Sequence, residues 1–331
     1  MLQACIWGCR LSTWPGWSCG RIRYLLLGAA VLFVALPGFT ADRADEHLRR
    51  GNALAQQQDW SAAAVEYREA LRLRPRYPEA HYNLANTLEA RGDRPGAIAE
   101  FRQALQLKPD YAEAHNNLGL AFEASADFNG ALSELREATR IKPDYAEAHF
   151  NLGNLFAAKG DWEAAISEYR LALLLRPGDS AAQINLGYAL AKKGDLHSAI
   201  TQLREAIRAR PDQADAHFSL ANVLASKGEL DAAIGEYRMA LLLKPEDAAI
   251  EDNLGYALKE KGDLNRAILE YRAAIRSQPS DVRAHFNLAA ALESIGHLQA
   301  ALEEYGTASK LDPGDPGFQA EYTRLASTLK R

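Results

Sequence analysis

Apolar residues along most of this chain recur three and four apart, the spacing that places them on one face of an α-helix. Between residues 146 and 179, Ala148, Leu152, Leu155 and Phe156 share one helical face, and Lys159-Gly160-Asp161 interrupts it. Ile166, Tyr169, Ala172 and Leu173 then define a second apolar stripe. The pattern predicts two helices joined by a tight turn. Gly160 suits the left-handed backbone that ends a helix at little steric cost, and Asp161 suits the role of accepting free N–H groups at the next helix start. Pro177 closes the second helix, because the residue before a proline is pushed out of helical conformation.

The pattern repeats every 34 residues. KPDYAEAHNNLG at 108–119 returns as KPDYAEAHFNLG at 142–153. Prolines fall at Pro75, Pro109, Pro143, Pro177, Pro211, Pro245, Pro279 and Pro313, with nothing inserted or deleted between them. These define eight units: 44–77, 78–111, 112–145, 146–179, 180–213, 214–247, 248–281 and 282–315. Numbered within a unit, position 20 is alanine in all eight, from Ala63 to Ala301, and so is position 27, from Ala70 to Ala308. Position 8 is always glycine or alanine. Small residues at 8 and 20 predict a close approach of the two helix backbones, where a large side chain would overpack the crossing.

The ends read as caps. The first unit has Arg50 where the others have leucine and Gln58 where most have glycine, which makes its outer side more polar. Beyond the last unit, Asp315-Pro316 is a helix start, and Phe318, Tyr322, Leu325 and Leu329 form one apolar stripe over 316–331. That helix is expected to cover the open end of the stack.

Small residues at 8, 20 and 27, leucine at 7, an aromatic or leucine at 24 and proline at 32 resemble the tetratricopeptide repeat, over eight units of 34, or 272 residues. The wording AHxNLG, then GD, then EYR is similar to the repeats of the O-linked N-acetylglucosamine transferase subgroup. The resemblance implies an all-α, right-handed superhelical solenoid of antiparallel helix pairs with a C-terminal capping helix. It also implies a concave face, lined mainly by first helices, that binds peptide segments.

Composition fits an ordered protein: of 331 residues, 48% are hydrophobic and 24% charged. Residues 1–41 carry only Arg10, Arg21 and Arg23 as charges, so the 38 basic side chains leave 35 beyond residue 41 against 43 acidic ones, a net of −8. That balance argues against a general nucleic-acid grip. Arg21 and Arg23 precede the apolar run YLLLGAAVLFVAL and the polar exit PGFTAD, the order of an export signal. Thirteen apolar residues are few for a bilayer span, which needs about 20. The repeats are therefore expected outside the cytoplasm, periplasmic or otherwise extracytoplasmic. The signal is either cleaved near Ala41, despite the bulky Phe39 three places before the cut, or retained as a membrane anchor through residues 22–39. Cys5, Cys9 and Cys19 all precede the run, which leaves the repeats without thiolate ligands or disulfides.

Six histidines, His47, His81, His115, His149, His217 and His285, occupy position 4. Equivalent helices in neighbouring units pack about 10 Å apart, whereas ligands of one zinc lie within about 4 Å of each other. No shared metal is expected; a packed role is, with a pH-responsive role as the alternative.

Asparagines mark the same helix. Position 6 holds Asn83, Asn117, Asn151, Asn185, Asn253 and Asn287, and position 9 holds Asn52, Asn86, Asn154 and Asn222. Positions 2, 6, 9 and 13 form one stripe. Inside a helix asparagine costs up to about 0.7 kcal/mol against alanine, so something offsets it. Two readings stand: each amide bonds the neighbouring helix and tightens the stack, or the amides face the groove and pair with a bound backbone, as the resembling repeats imply for position 6. Asp45, Glu79, Glu113, Glu147 and Asp215 make position 2 mostly acidic, with Arg283 departing from it, which favours a neutral or basic extended segment as the partner. Position 5 carries no lysine, so the clamp with which some repeats of this family hold a C-terminal carboxylate is not supported. Tyr77, Tyr111 and Tyr145 are read as loop packing or as added aromatic surface. The arginines at 25, Arg68 through Arg272 in seven units, mostly follow a glutamate at 23 and are read as a solvated, charge-balanced face.

Residues 44 to 315 carry no G-x-x-x-x-G-K-[ST], G-x-S-x-G or HExxH, and every one of them belongs to a repeat. No catalytic residue, cofactor or small-molecule substrate is expected. The reading is a non-enzymatic interaction scaffold. The alternative is a substrate-presenting or regulatory subunit of an enzyme, such as a glycosyltransferase, carried on another chain.

Overall fold

A computed structural model describes residues 37–330. Most of the expected export signal, 1–41, lies outside the described residues, as do the three cysteines. Seventeen helices, and no strand, make up the described chain. The first helices of the eight units are α1 (Pro37–Gln56), α3 (Pro78–Ala90), α5 (Ala112–Glu123), α7 (Ala146–Ala158), α9 (Ser180–Lys192), α11 (Ala214–Ser226), α13 (Ala248–Glu260) and α15 (Val282–Ser294). The second helices are α2 (Trp60–Leu73), α4 (Arg94–Leu107), α6 (Phe128–Ile141), α8 (Trp162–Leu175), α10 (Leu196–Ala209), α12 (Leu230–Leu243), α14 (Leu264–Ser277) and α16 (Leu298–Leu311). α17 (Pro316–Leu329) closes the end.

The turns follow the predicted chemistry. Gly160 has φ +77°, and the Asp161 carboxylate accepts from the Ala164 N–H at 3.2 Å to start α8. Gln58 and Ala126 hold the same left-handed conformation, each at φ 61°, without being glycine.

Within a hairpin the alanines at 20 and 27 are buried in every unit. The small residue at 8 also accommodates a side chain that the spacing did not point to. A Cβ placed on Gly153 would come 2.6 Å from Tyr169 Cε1, and one on Gly187 would come 2.6 Å from Leu203 Cγ. Position 8 therefore makes room first for the large side chain at 24, and in unit 3 for the backbone at 20 as well, since a Cβ on Gly119 would come 3.3 Å from the Ala131 carbonyl oxygen. Burying such a side chain contributes about 1.5–3 kcal/mol, and position 8 is glycine opposite Tyr67, Tyr169 and Tyr271 and also opposite Leu135 and Leu203.

Successive units are held at different distances on their two sides. First helices of neighbouring units touch, as α9 with α11 and α13 with α15, while the second helices make no comparable approach. The stack must then curve with its first helices inside, giving a superhelical solenoid whose inner surface carries positions 2, 6, 9 and 13. At the far end Phe318 packs on Phe286 with ring centroids 5.1 Å apart, and Leu325 is buried while Leu329 stays exposed.

Candidate peptide-binding groove

The asparagines of the inner face are tied to one another. Asn83, Asn117 and Asn185 each donate from Nδ2 to the Oδ1 of the position 9 asparagine one unit before, Asn52, Asn86 and Asn154, at 2.8 Å. Asn151 and Asn287 reach instead to position 5 of the preceding unit, at Asn116 and Asp252, both at 2.9 Å. Asn116 donates in turn to Asn117 at 3.0 Å, so Asn151, Asn116, Asn117 and Asn86 form one continuous chain of amides through three units. Such chains polarise one another and are stronger than isolated bonds. Asn52, Asn154 and Asn222 also accept from the buried hydroxyls of Tyr67, Tyr169 and Tyr237, at 2.8, 2.8 and 2.6 Å.

These bonds use only part of each amide, which has two donors and an acceptor with two lone pairs. Among the described residues, Oδ1 of Asn83, Asn185 and Asn287 accepts no protein hydrogen bond, and Nδ2 of Asn52, Asn154 and Asn222 donates none. These asparagines are half-buried, and none of those atoms is enclosed without a partner. One end of each bonds within the stack, and the other keeps polar groups without a protein partner. Asn253 behaves differently: its Nδ2 turns back to the Ala249 carbonyl at 2.8 Å.

The acidic stripe is partly spent. Asp45 accepts from Tyr77 at 2.7 Å and pairs with Arg74 at 2.9 Å; those two hydrogen bonds hold its carboxyl below the usual range. Burial of Glu113 opposes its charge, but bonds from its own backbone N–H and from Lys142 outweigh that and lower its pKa. Glu79 and Glu147 have no ion pair among the described residues. Of the loop tyrosines, Tyr111 stacks on Tyr82 with centroids 4.9 Å apart, and Tyr145 is buried.

Between units 5 and 7 the inner surface opens into a cavity of about 850 Å³ whose lining includes Tyr188, Lys192, Ser219, Asn222, Asn253 and Tyr256. Tyr188 and Tyr256 stand at position 9, where asparagine is commonest, and are 49% and 46% exposed. The replacement has a cost. With no asparagine at Tyr256, the hydroxyl of Tyr271 is buried without a partner, a loss of about 1–3 kcal/mol.

The histidines fasten the hairpins. His81, His115, His149, His217 and His285 each place Nδ1 2.6–2.7 Å from the glutamate at 23 of the same unit and Nε2 3.0–3.2 Å from the carbonyl of the preceding unit's proline. His47 makes the first of these bonds, to Glu66 at 2.6 Å. Those glutamates are half-buried hydrogen-bond partners rather than members of a solvated face. Sequence reasoning missed the pair, though the chain carries a signal. Where position 4 is Gln183, position 23 is Gln202; where position 4 is Glu251, position 23 remains Glu270 and its carboxyl is pushed up by burial and by Glu251.

Comparison with known proteins fits this geometry. A family model described as TPR repeat matches residues 51–92, 90–125, 127–160 and 153–194, and one described as tetratricopeptide repeat matches 184–249 and 253–316. Among solved structures, the chain is similar to the APC/C hetero-tetramer Cut9-Hcn1, with 17% identity and a TM-score of 0.60 over 85% of this chain and 55% of that one. The chain thus spans about half the length of that protein, and the likeness is one of fold. It also matches YrrB, a TPR protein with an unusual peptide-binding site, at 22% identity and TM-score 0.47 over 56% of this chain and 95% of that one. MamA matches at 25% identity and TM-score 0.46, over 49% of this chain and 95% of that one. No curated protein matches the chain.

Proposed function

The chain belongs to the tetratricopeptide repeat family, whose solenoids are protein–protein interaction scaffolds, and from that premise we propose that its inner groove captures an extended segment of a partner protein without catalysing a reaction. One observation carries the reading: Asn83, Asn185 and Asn287 at position 6 and Asn52, Asn154 and Asn222 at position 9 are held at one end while their other polar groups stay open. Groups fixed in advance lose little entropy on binding. A carboxamide matches a peptide bond whatever side chain that residue bears, which suits a scaffold that reads backbone. Glu79 and Glu147, free of ion pairs among the described residues, together with the net charge of −8 beyond residue 41, support a neutral or basic segment along units 2–4. The arginines and apolar run before residue 37 support a location outside the cytoplasm, with that segment cleaved or kept as an anchor.

The test is the triple variant Asn83→Ala/Asn185→Ala/Asn287→Ala, assayed with peptides selected on the wild type from a random dodecapeptide display library. Affinity is expected to fall about tenfold or more, as for loss of an interface hot spot, with the far-ultraviolet circular dichroism unchanged. Unchanged affinity with a loss of helicity would contradict the proposal and leave the asparagines a purely structural role.

A further inference from the structure

Among the described residues, no position 6 side chain reaches back to the preceding unit between units 5 and 6 or between 6 and 7, and the cavity lies there. Position 6 of unit 6 is Ser219, and Asn253 of unit 7 bonds its own helix instead of Asn222. The 2.8 Å links that join units 1 to 2, 2 to 3 and 4 to 5 through positions 9 and 6 are therefore not made between 5 and 6 or between 6 and 7. Polar groups that elsewhere knit the stack are left over at this point.

Resting on the groove reading above, we propose that the cavity between Tyr188 and Tyr256 receives an aromatic side chain of the bound segment together with an adjacent carboxylate. Tyr256 works against its own hairpin, since it removes the acceptor that the Tyr271 hydroxyl needs. A residue that harms the packing beneath it serves something outside that packing. Both tyrosines line the same cavity, with Val223 and Leu196 adding apolar wall. A cation already lies over each ring, Lys192 Nζ at 5.3 Å from the centroid of Tyr188 and Lys259 Nζ at 4.8 Å from that of Tyr256. An incoming ring then meets the remaining faces and edges, in the offset or edge-on arrangements that aromatic pairs prefer.

The charge pattern selects the neighbour of that ring. Position 2, acidic in units 1–4, becomes Ala181, Asp215, Ala249 and Arg283 in units 5–8. The cavity carries Lys192 and Arg283 against the single acid Glu260. Arg283 is already paired with Asp252 at 3.2 Å, whereas Lys192 has no carboxylate partner among the described residues. A carboxylate beside the aromatic residue completes Lys192, while the basic or neutral remainder of the segment runs toward units 2–4. The groove on this account reads a polar sequence with a fixed direction.

The dodecapeptide library, panned on the full chain and on Tyr188→Ala/Tyr256→Ala, tests this. Both tyrosines are half-exposed, and circular dichroism checks that the variant keeps its helices. Wild-type selection is expected to enrich Phe, Tyr or Trp next to Asp or Glu, and individual winners are expected to bind the double variant about tenfold more weakly. Lys192→Glu is expected to abolish the preference for the acidic neighbour while keeping that for the ring. Selected peptides without an aromatic–acid pair, or with equal affinity for the double variant, would overturn this inference while the groove reading stands. Failure to select any peptide would overturn both.

Discussion

A buried hydroxyl is either satisfied or a liability, and this chain contains both cases at one structural position. Tyr169 donates to Asn154 at 2.8 Å, while Tyr271 has no partner. Tyr169→Phe is expected to destabilise by about 1 kcal/mol, and Tyr271→Phe to be neutral or stabilising, because only the first removes a made bond. Thermal unfolding followed by circular dichroism separates them; equal losses would refute the assignment. The histidines give a second residue-scale prediction. Both ring nitrogens of His81 and His115 face acceptors, an arrangement that only the imidazolium satisfies fully. Burial alone would lower their pKa values, but the bonds to Glu100 or Glu134 and to the proline carbonyls outweigh it, and both lie above the ordinary 6.5. The folded state thus holds the proton more tightly than the unfolded chain. The stabilisation is complete below 6.5 and is lost as pH rises through the raised folded values. The melting temperature is expected to fall from about pH 6 to about pH 8, and His81→Gln/His115→Gln to flatten that slope. The six histidines were legible in the sequence as a column, but their partners were not. Position 23 lies 19 residues away, across the hairpin, where helical periodicity makes no statement about which side chains meet.

At the scale of the helix pair, the sequence announced nearly everything that depends on local chemistry. Gly160, Asp161 and Pro177 marked the end of α7, the start of α8 and its close, and the structure places them in those roles. Small residues at 8 and 20 are equally conspicuous in the sequence, yet position 8 meets first the side chain at 24, Tyr169 in unit 4 and Leu135 in unit 3, because a large side chain reaches farther across the gap than the backbone does. Unit 3 offers a test of the turn. Ala126 sits at φ 61°, where a Cβ costs about 1–2 kcal/mol, and six of the eight hairpin turns, Gly92, Gly160, Gly194, Gly228, Gly262 and Gly296, show what replaces it. Ala126→Gly is expected to raise stability by about 1 kcal/mol, less the entropy that glycine adds to the unfolded chain. Chemical denaturation monitors it, and a destabilised variant would show that the turn does not need glycine.

Across the whole molecule, the repeat length alone dictated a stack, since no single hairpin can bury both of its faces and each must rely on its neighbours. Curvature was not legible, because it depends on how closely the first helices approach relative to the second. The concave surface that results gathers the open amides, the acidic stripe and the cavity at Tyr188 and Tyr256, while the outer surface carries exposed leucines of its own, Leu174 and Leu242. The account makes the inner surface the one that works. Its most direct test is site-specific photocrosslinking in the native host, with benzoylphenylalanine at the inner positions Leu120 and Ala158 or at the outer positions Leu174 and Leu242. Partner adducts are predicted from the inner pair and not from the outer; adducts confined to Leu174 and Leu242 would contradict it.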